Sequence, residues 1–202
     1  KSAGKKKKKK SAGKKKNQRK KILRGMLSAA EPPLDAGMVG LVGAPRPFAS
    51  MQGDVVNPLI RDKIRHLGTL FSCLLPVRGD GNCFFRAVLV SVLRYALLDG
   101  QAALWEAVCR CADRMQKRFP THAFATLPQR TEEAIGEDRS EAALMARVCN
   151  DARLSDEWVL LLRALVGSYL QDHRADLLPY CTSAYEFEEM CRSALAMGVE
   201  VE

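Results

Sequence analysis

Apolar residues recur at three- and four-residue spacing along most of the chain from residue 54 onward, which is the period of an amphipathic α-helix. No segment of this part shows the alternation of apolar and polar residues that is typical of a half-buried strand. A mainly helical domain is therefore expected. The pattern predicts helices over 58–70, 83–97, 101–119, 132–150, 158–170 and 183–195.

Local signals refine these boundaries. A break is expected over 121–129, and Gly136 is expected to interrupt the helical region that follows it. Ser155 or Asp156 is the expected N-cap of the helix over 158–170. This helix is apolar nearly all round, so we expect it to lie at the centre of the core.

The helix predicted to begin at Cys83 follows two glycines that flank an aspartate, in the order Gly79, Asp80, Gly81, Asn82. Glycine adopts backbone angles that other residues resist, so this segment is expected to form a tight loop before the first helical turn. The buried face of the helix is expected to consist of Ala87, Val88, Val92, Leu93, Ala96 and Leu97.

A cysteine in the first turn of a helix has surroundings that suit a nucleophile. Unpaired N–H groups and the positive end of the helix dipole favour thiolate over thiol, and thiolate is the nucleophilic form. The amides of the glycine loop can converge on a small anionic site, as an oxyanion hole requires. The alternative is a buried structural cysteine, since free cysteine is among the most buried residue types. Spacing alone leaves both interpretations open.

A resemblance to a known family bears on this choice. Residues 79–87, Gly-Asp-Gly-Asn-Cys-Phe-Phe-Arg-Ala, resemble the active-site signature of the OTU (ovarian-tumour) cysteine proteases, which are deubiquitinases. The aromatic pair after the cysteine is similar to the otubain branch, as is the Asn-Pro-Leu-Ile segment at 57–60. Residues 155–171 resemble an otubain helix that ends in Tyr-Leu-Gln, and 185–191 continue in family order.

The resemblance implies an α+β papain-like OTU fold, of which the part present is mainly α-helical. It also implies a thiol protease that hydrolyses isopeptide bonds between ubiquitin and lysine, with ubiquitin or polyubiquitin as partner and without a cofactor. Cys83 would be the nucleophile. Asp80 would hold the loop, and its backbone amide would join that of Cys83 in the oxyanion hole. Gly81 and Asn82 would shape the oxyanion loop.

The general base of the family is not matched in this chain. In OTU enzymes a histidine in a Gly-His-aromatic context follows the sheet, whereas His66, His122 and His173 do not follow glycine. The chain ends 119 residues after Cys83, before such a histidine is expected. We therefore expect a chain that is truncated before the catalytic histidine and inactive alone. A non-catalytic, OTU-derived ubiquitin-binding protein is the alternative.

Charge is concentrated in residues 1–24, which hold 14 of the 32 Lys and Arg residues and no acidic residue. Such a run repels itself and cannot bury a core, so a disordered Lys-rich tail is expected. Residues 25–53, with four prolines and five glycines, are expected to be a linker, and 54–202 the OTU domain. The tail is interpreted as a nuclear-import signal, as a weak contact for nucleic acid or an anionic surface, or as a solvated extension.

The cysteines indicate the compartment. Their number, seven, is odd, no secretory signal precedes them, and no C-x-x-C pair or zinc-ligand spacing occurs. We therefore expect reduced thiols without a metal, in the cytoplasm or the nucleus. No run approaches 18 consecutive apolar residues, so no membrane span is predicted.

Deletion of residues 1–24 should leave the thermal midpoint of the remaining chain unchanged. A tail of this composition cannot offset an ordering entropy of about 1–2 kcal/mol per residue. Differential scanning calorimetry of the full and shortened chains checks this expectation. A clear drop in the midpoint would show instead that the tail docks on the acidic remainder.

Overall fold

The computed structural model describes residues 40–51, 53 and 55–196, which fall into two compact units. Unit 1 comprises the described residues from Arg46 to Leu74, and unit 2 comprises 40–45 and 75–196. The predicted tail, residues 1–24, and residues 25–39 of the predicted linker lie outside the described residues.

Unit 1 is built on one helix that begins where the sequence predicts. The Asn57 side chain accepts a hydrogen bond from the Leu59 amide (3.0 Å), and a proline occupies the first helical position, where no N–H is needed. Ile64 is the buried residue of this helix. The elements of the unit are β1 (Arg46–Pro47), a 3₁₀ helix (Phe48–Met51), α1 (Pro58–Leu70) and β2 (Cys73–Leu74), with β1 and β2 paired antiparallel.

Unit 2 is helical, as the apolar pattern predicts. Among the described residues no strand is longer than two residues, and the one isolated bridge pairs Val42 with Val77. Two π-helical segments, Arg94–Leu98 and Met145–Cys149, extend the helices before them. The α-helices are α2 (Cys83–Leu93), α3 (Ala102–Arg118), α4 (Leu127–Ile135), α5 (Glu141–Leu144), α6 (Ala152–Asp172), α7 (Arg174–Leu177) and α8 (Ala184–Leu195).

Helix α6 lies at the centre of unit 2, which confirms the interpretation of its apolar sequence. It packs against α2, α3, α4 and α8 and buries Trp158, Val159 and Leu161. At Gly167 an added Cβ would lie 2.7 Å from a Cδ atom of Leu195. The absence of a side chain at this glycine therefore lets α8 approach α6 closely.

The predicted N-cap of this central helix is wrong. Helix α6 begins at Ala152, and the cap is Asp151, whose carboxylate accepts a hydrogen bond from the Leu154 amide (2.7 Å). Ser155 and Asp156 lie inside the helix. Their side-chain oxygens accept hydrogen bonds from a distant arginine, a tertiary contact that local capping signals do not reveal.

The predicted buried face of α2 is only partly correct. Leu93 and Ala96 are buried as expected, but Ala87 is exposed, and Phe85 and Leu89 are buried instead. Nearly every position of α2 is apolar, so periodicity does not single out one face. The packing of the neighbouring helices decides which side is covered.

The predicted break over 121–129 is too long. Helix α4 begins within it at Leu127, and Pro128 occupies the first turn, where proline is tolerated. Gly136 ends α4 with a φ of 64°, so the interruption expected at this glycine is confirmed.

The last part of the predicted linker is packed. Leu41 and Val42 are buried in the core of unit 2. The Asn150 side chain forms two hydrogen bonds with the backbone of Val42. It accepts from the Val42 N–H (2.8 Å) and donates to the Val42 carbonyl oxygen (2.9 Å). Residues 40–45 therefore belong to the helical unit, which corrects the linker assignment there. The apolar pair is too short to produce a periodic signal.

None of the helices in the described part of the chain is long and apolar enough to cross a membrane.

Leu161→Ala should lower the free energy of unfolding by roughly 2–5 kcal/mol, because the side chain is fully buried and its removal leaves a cavity. Leu161 is 1% exposed, whereas its neighbour Leu162 is only partly buried, so Leu162→Ala is a matched control with a smaller expected loss. Urea unfolding of both variants measures the difference. Equal losses would contradict the packing described for α6.

Candidate active site

The loop before Cys83 is tight and held by its own polar groups. Gly81 has a φ of 76°, a left-handed backbone angle that favours glycine. The Asp80 carboxylate accepts a hydrogen bond from the Asn82 amide (2.9 Å). The Asp80 amide donates to the carbonyl oxygen of Arg78 (3.0 Å). This last bond occupies the amide that the family resemblance assigns to the oxyanion hole.

Cys83 is the first residue of α2, and its side chain is exposed. The alternative of a buried structural cysteine is therefore wrong. Asn82 occupies the N-cap position, but its side chain makes no capping hydrogen bond. The first-turn amides beside the thiol thus lack the side-chain acceptor that asparagine usually supplies at this position.

Arg86 connects the loop to the start of α6. Its guanidinium donates to the Asp80 carboxylate (2.8 and 3.2 Å), to the Ser155 hydroxyl (2.7 Å) and to the Asp156 carboxylate (2.6 Å). The arginine side chain is 3% exposed, so these partners replace the water that its charge has lost. Burial alone would lower the pKa of Arg86, but the two carboxylates raise it above its ordinary value.

The same contacts determine the ionisation of Asp80. Burial alone would raise the pKa of its carboxyl, but the hydrogen bond and charge of Arg86, with the Asn82 amide, outweigh burial. The pKa of Asp80 therefore lies below its ordinary value, and the side chain is a carboxylate at neutral pH.

Arg163, from the middle of α6, is a second buried cation at the loop, with 0% of its surface exposed. It donates to the Asn82 side-chain oxygen (2.9 and 3.1 Å) and to the Gly81 carbonyl oxygen (2.8 Å). Its guanidinium carbon lies 4.5 Å from the centre of the Phe85 ring. Burial lowers the pKa of Arg163 and the charge of Asp80 opposes this, but arginine stays protonated in proteins.

Sequence reasoning assigned no role to Arg86 or Arg163. A signal for both is present, because each is a lone charged residue in an otherwise apolar helical run. Charged residues are almost never fully buried without partners. An arginine in such a run therefore points to polar groups elsewhere in the chain, although it does not identify them.

His122 and His173, the two histidines of unit 2, have other neighbours. His122 contacts the Thr121 hydroxyl (3.2 Å) and stacks on Phe124, and His173 lies 3.5 Å from the Asp176 carboxylate. His66 lies in α1 of unit 1 and its side chain is exposed. Within the described residues of unit 2, neither His122 nor His173 forms a hydrogen bond with the Cys83 thiol.

Apart from Cys73, which is also exposed, the remaining thiols are more buried than Cys83. Burial raises the pKa of Cys149 to about 12, and burial together with Glu188 raises the pKa of Cys191. Among the described residues, no group of three or more His, Cys, Asp and Glu side chains is arranged to hold a metal ion.

Asp80→Asn should lower the free energy of unfolding at pH 7 by roughly 1.5–3 kcal/mol, the range for hydrogen bonds to charged groups. Because the folded pKa is depressed, this stability is present above the ordinary value of 3.8 and is lost as pH falls through the folded value. Urea unfolding measures the free energy of unfolding at both pH values. The difference between variant and wild type should be smaller near pH 3 than at pH 7.

Asp62→Asn is the control for this prediction, because the Asp62–Arg65 ion pair is exposed and should contribute little at either pH. A loss for Asp80→Asn that is as small as that of the control would show that the carboxylate does not hold the loop.

Comparison with known proteins places these features in a family. The sequence model of the family described as Peptidase C65 Otubain matches residues 37–201. "Ubiquitin thioesterase otubain-like" of Caenorhabditis briggsae is 25% identical over 165 residues, 77% of this chain and 57% of that protein. "Ubiquitin thioesterase OTUB2" of Homo sapiens is 28% identical over 147 residues, 64% of this chain and 62% of that protein. The chain thus spans about three fifths of the length of these curated relatives.

Solved structures show the fold. "The structure of h/ceOTUB1-ubiquitin aldehyde-UBCH5B~Ub" matches with a TM-score of 0.67 at 17% identity, over 92% of this chain and 76% of that chain. "The structure of a ceOTUB1 ubiquitin aldehyde UBC13~Ub complex" matches with a TM-score of 0.63 at 19% identity, over 83% and 72%. The described part of this chain is the mainly helical part of the OTU fold. Since the family model matches most of its length, the chain belongs to the Peptidase C65 otubain family.

Proposed function

We propose that this chain carries the nucleophile of a cysteine deubiquitinase. In the proposed reaction, the Cys83 sulfur attacks the carbonyl carbon of an isopeptide bond between the C-terminal glycine of ubiquitin and a lysine. The observation that carries the proposal is the exposed thiol in the first turn of α2, beside amides that the N-cap side chain leaves uncapped. The names of the curated relatives, both ubiquitin thioesterases, support it.

The first step forms a carbon–sulfur bond and places negative charge on the carbonyl oxygen. Backbone amides near Cys83 would stabilise that charge, as donors aimed at a developing oxyanion do. For the Asp80 amide to join them, its hydrogen bond to the Arg78 carbonyl must open. We therefore propose that substrate binding rotates the peptide unit before Asp80.

The second step expels the lysine amine, which has to gain a proton as it leaves. In the described part of unit 2 neither His122 nor His173 is hydrogen-bonded to Cys83, so neither is in place to supply this proton. We therefore propose that the 202-residue chain supports addition to the thiol but not turnover.

The proposed partner is ubiquitin. The solved structures that this chain resembles are complexes with ubiquitin aldehyde and with UBC13~Ub or UBCH5B~Ub, which supports this choice. Next to the thiol, Phe84 is 67% exposed and offers an apolar contact. The proposed location is the cytoplasm or the nucleus, where thiols stay reduced. The nucleic-acid contact of residues 1–24 stays a prediction.

A non-catalytic ubiquitin-binding protein is the second candidate. The lack of a histidine bonded to Cys83 among the described residues of unit 2 favours it. In that case the helical unit would bind ubiquitin, and the thiol would have no part in the function.

Iodoacetamide should alkylate Cys83 faster than any other cysteine near neutral pH, because its thiol is exposed at a helix N-terminus. Cys73 is the control, since it is also exposed but lies in the short strand β2. Peptide mass spectrometry of a time course gives both rates. Faster labelling of Cys73 would count against an activated Cys83.

A ubiquitin that carries an electrophile at its C-terminus tests the proposed function directly. It should modify wild-type protein slowly and should not modify Cys83→Ala. Free ubiquitin should slow the modification by competing for the same site. Hydrolysis of a ubiquitin–lysine isopeptide bond should be undetectable, for want of an acid that protonates the amine. Binding of ubiquitin without modification of Cys83 would favour the second candidate, and neither binding nor modification would overturn both.

A further inference from the structure

We infer that Arg163 is a positioning residue for Cys83. By binding the Asn82 side chain and the Gly81 carbonyl, Arg163 prevents the helix that carries the thiol from capping its own N-terminus. The consequence for catalysis rests on the function proposed above. The consequence for the helix does not, because it concerns hydrogen bonds within the chain alone.

The Asn82 side chain behaves unlike the other caps of this chain. In the described helices, four other N-cap residues are Asn, Asp or Ser, and each accepts a hydrogen bond from a first-turn amide; they are Asn57, Ser140, Asp151 and Ser183. Asn57 is the matched case, since the same residue type caps α1 through the Leu59 amide (3.0 Å). Asn82 occupies the same position on α2 and makes no such bond. Its backbone angles (φ −114°, ψ 2°) also differ from the extended angles of Asn57 (φ −70°, ψ 117°).

Two features account for the difference: the backbone of Asn82 is not extended, and Arg163 binds its side chain. The Asn82 side-chain oxygen, which would otherwise serve as the cap, accepts from two nitrogens of the Arg163 guanidinium (2.9 and 3.1 Å). Hydrogen bonds from a charged donor are stronger than those from a neutral amide, and this donor is fully buried. The cation therefore outcompetes the first-turn amides for this oxygen.

The peptide unit between Gly81 and Asn82 is held at both ends. Its carbonyl oxygen accepts from Arg163 (2.8 Å), and its N–H donates to the Asp80 carboxylate (2.9 Å). Arg163 is itself anchored by the Ser193 carbonyl oxygen of α8 (3.0 Å). A buried cation and a carboxylate thus orient the plane of this peptide, which directly precedes the thiol-bearing residue.

The catalytic consequence concerns the amides of the first turn of α2. With Asn82 held by Arg163, these amides stay available for the oxygen that becomes negative when the Cys83 sulfur adds to a carbonyl carbon. Without Arg163, the Asn82 backbone can relax to the extended conformation of an N-cap, and its side-chain oxygen can then turn to the Phe84 or Phe85 amide. An internal acceptor would then occupy the position of the oxyanion.

Arg163→Met tests the structural part through amide hydrogen exchange in the full 202-residue chain. Exchange at Phe84 or Phe85 should slow in this variant, because Asn82 becomes their cap. Unchanged or faster exchange in a folded variant would overturn the inference. Arg130→Met is the control, since Arg130 pairs with Glu157 of α6 and does not bind the loop, so exchange at these two amides should not slow.

If Arg163→Met does not fold, Arg163→Lys carries the same test, because one ammonium group cannot reproduce the forked contacts of a guanidinium. Exchange at Phe84 or Phe85 should again slow, by less, and unchanged exchange would overturn the inference. Asn57→Ala calibrates the measurement, since loss of this cap should speed exchange of the Leu59 amide.

Ubiquitin aldehyde tests the catalytic part, because its adduct with a thiol carries an oxygen at the oxyanion position. Its affinity should fall at least about tenfold in Arg163→Met, as expected when oxyanion donors are lost. Adding Asn82→Ala to Arg163→Met removes the competing cap and should restore part of the affinity. A loss that Asn82→Ala does not relieve would reduce Arg163 to a merely structural role.

The two hypotheses fail in different ways. If wild-type protein binds no ubiquitin aldehyde, the proposed function is wrong, while the exchange experiment still decides the inference about Arg163. If ubiquitin aldehyde binds but exchange at Phe84 and Phe85 does not slow in the variant, the inference is wrong and the proposed function stands.

Discussion

The structure around Cys83 depends on two arginines whose charges are buried. A guanidinium removed from water has to find hydrogen-bond acceptors inside the protein, because an unpaired buried charge is strongly destabilising. Arg86 and Arg163 find these acceptors in the loop before Cys83 and on helices α6 and α8. The requirement to satisfy the two cations therefore couples a glycine-containing loop, which would otherwise be pliable, to the core of unit 2.

Helix α6 can serve as the support because it is itself held on several sides. It packs against α2, α3, α4 and α8, and the missing side chain at Gly167 brings α8 close to it. Arg163 projects from this helix to the loop, while Ser155 and Asp156 bind Arg86 near its beginning. Cys83 thus lies at the start of one helix, but its loop is positioned by another, about 80 residues away along the chain.

This arrangement separates the placement of the Cys83 thiol from the supply of a base. The local parts of the site, which are the loop, the helix N-terminus and the two arginines, are complete within unit 2. Proton transfer requires a further group within hydrogen-bond reach of the thiol. An exposed thiol beside free amides suits addition to a carbonyl carbon, and departure of an amine is the step that needs the additional group.

The sequence by itself determined the helical class, most of the helix positions and the place of Cys83, because periodicity and turn residues are local properties of the chain. It did not determine which face of α2 is buried, since that helix is apolar at nearly every position. Nor did it separate capping from tertiary roles: Ser155, Asp156 and Asn82 carry the residue types of N-caps, yet their side chains bind buried arginines. Only the tertiary structure decides that competition, because a charged donor from a distant part of the chain binds these oxygens more strongly than a nearby backbone amide does.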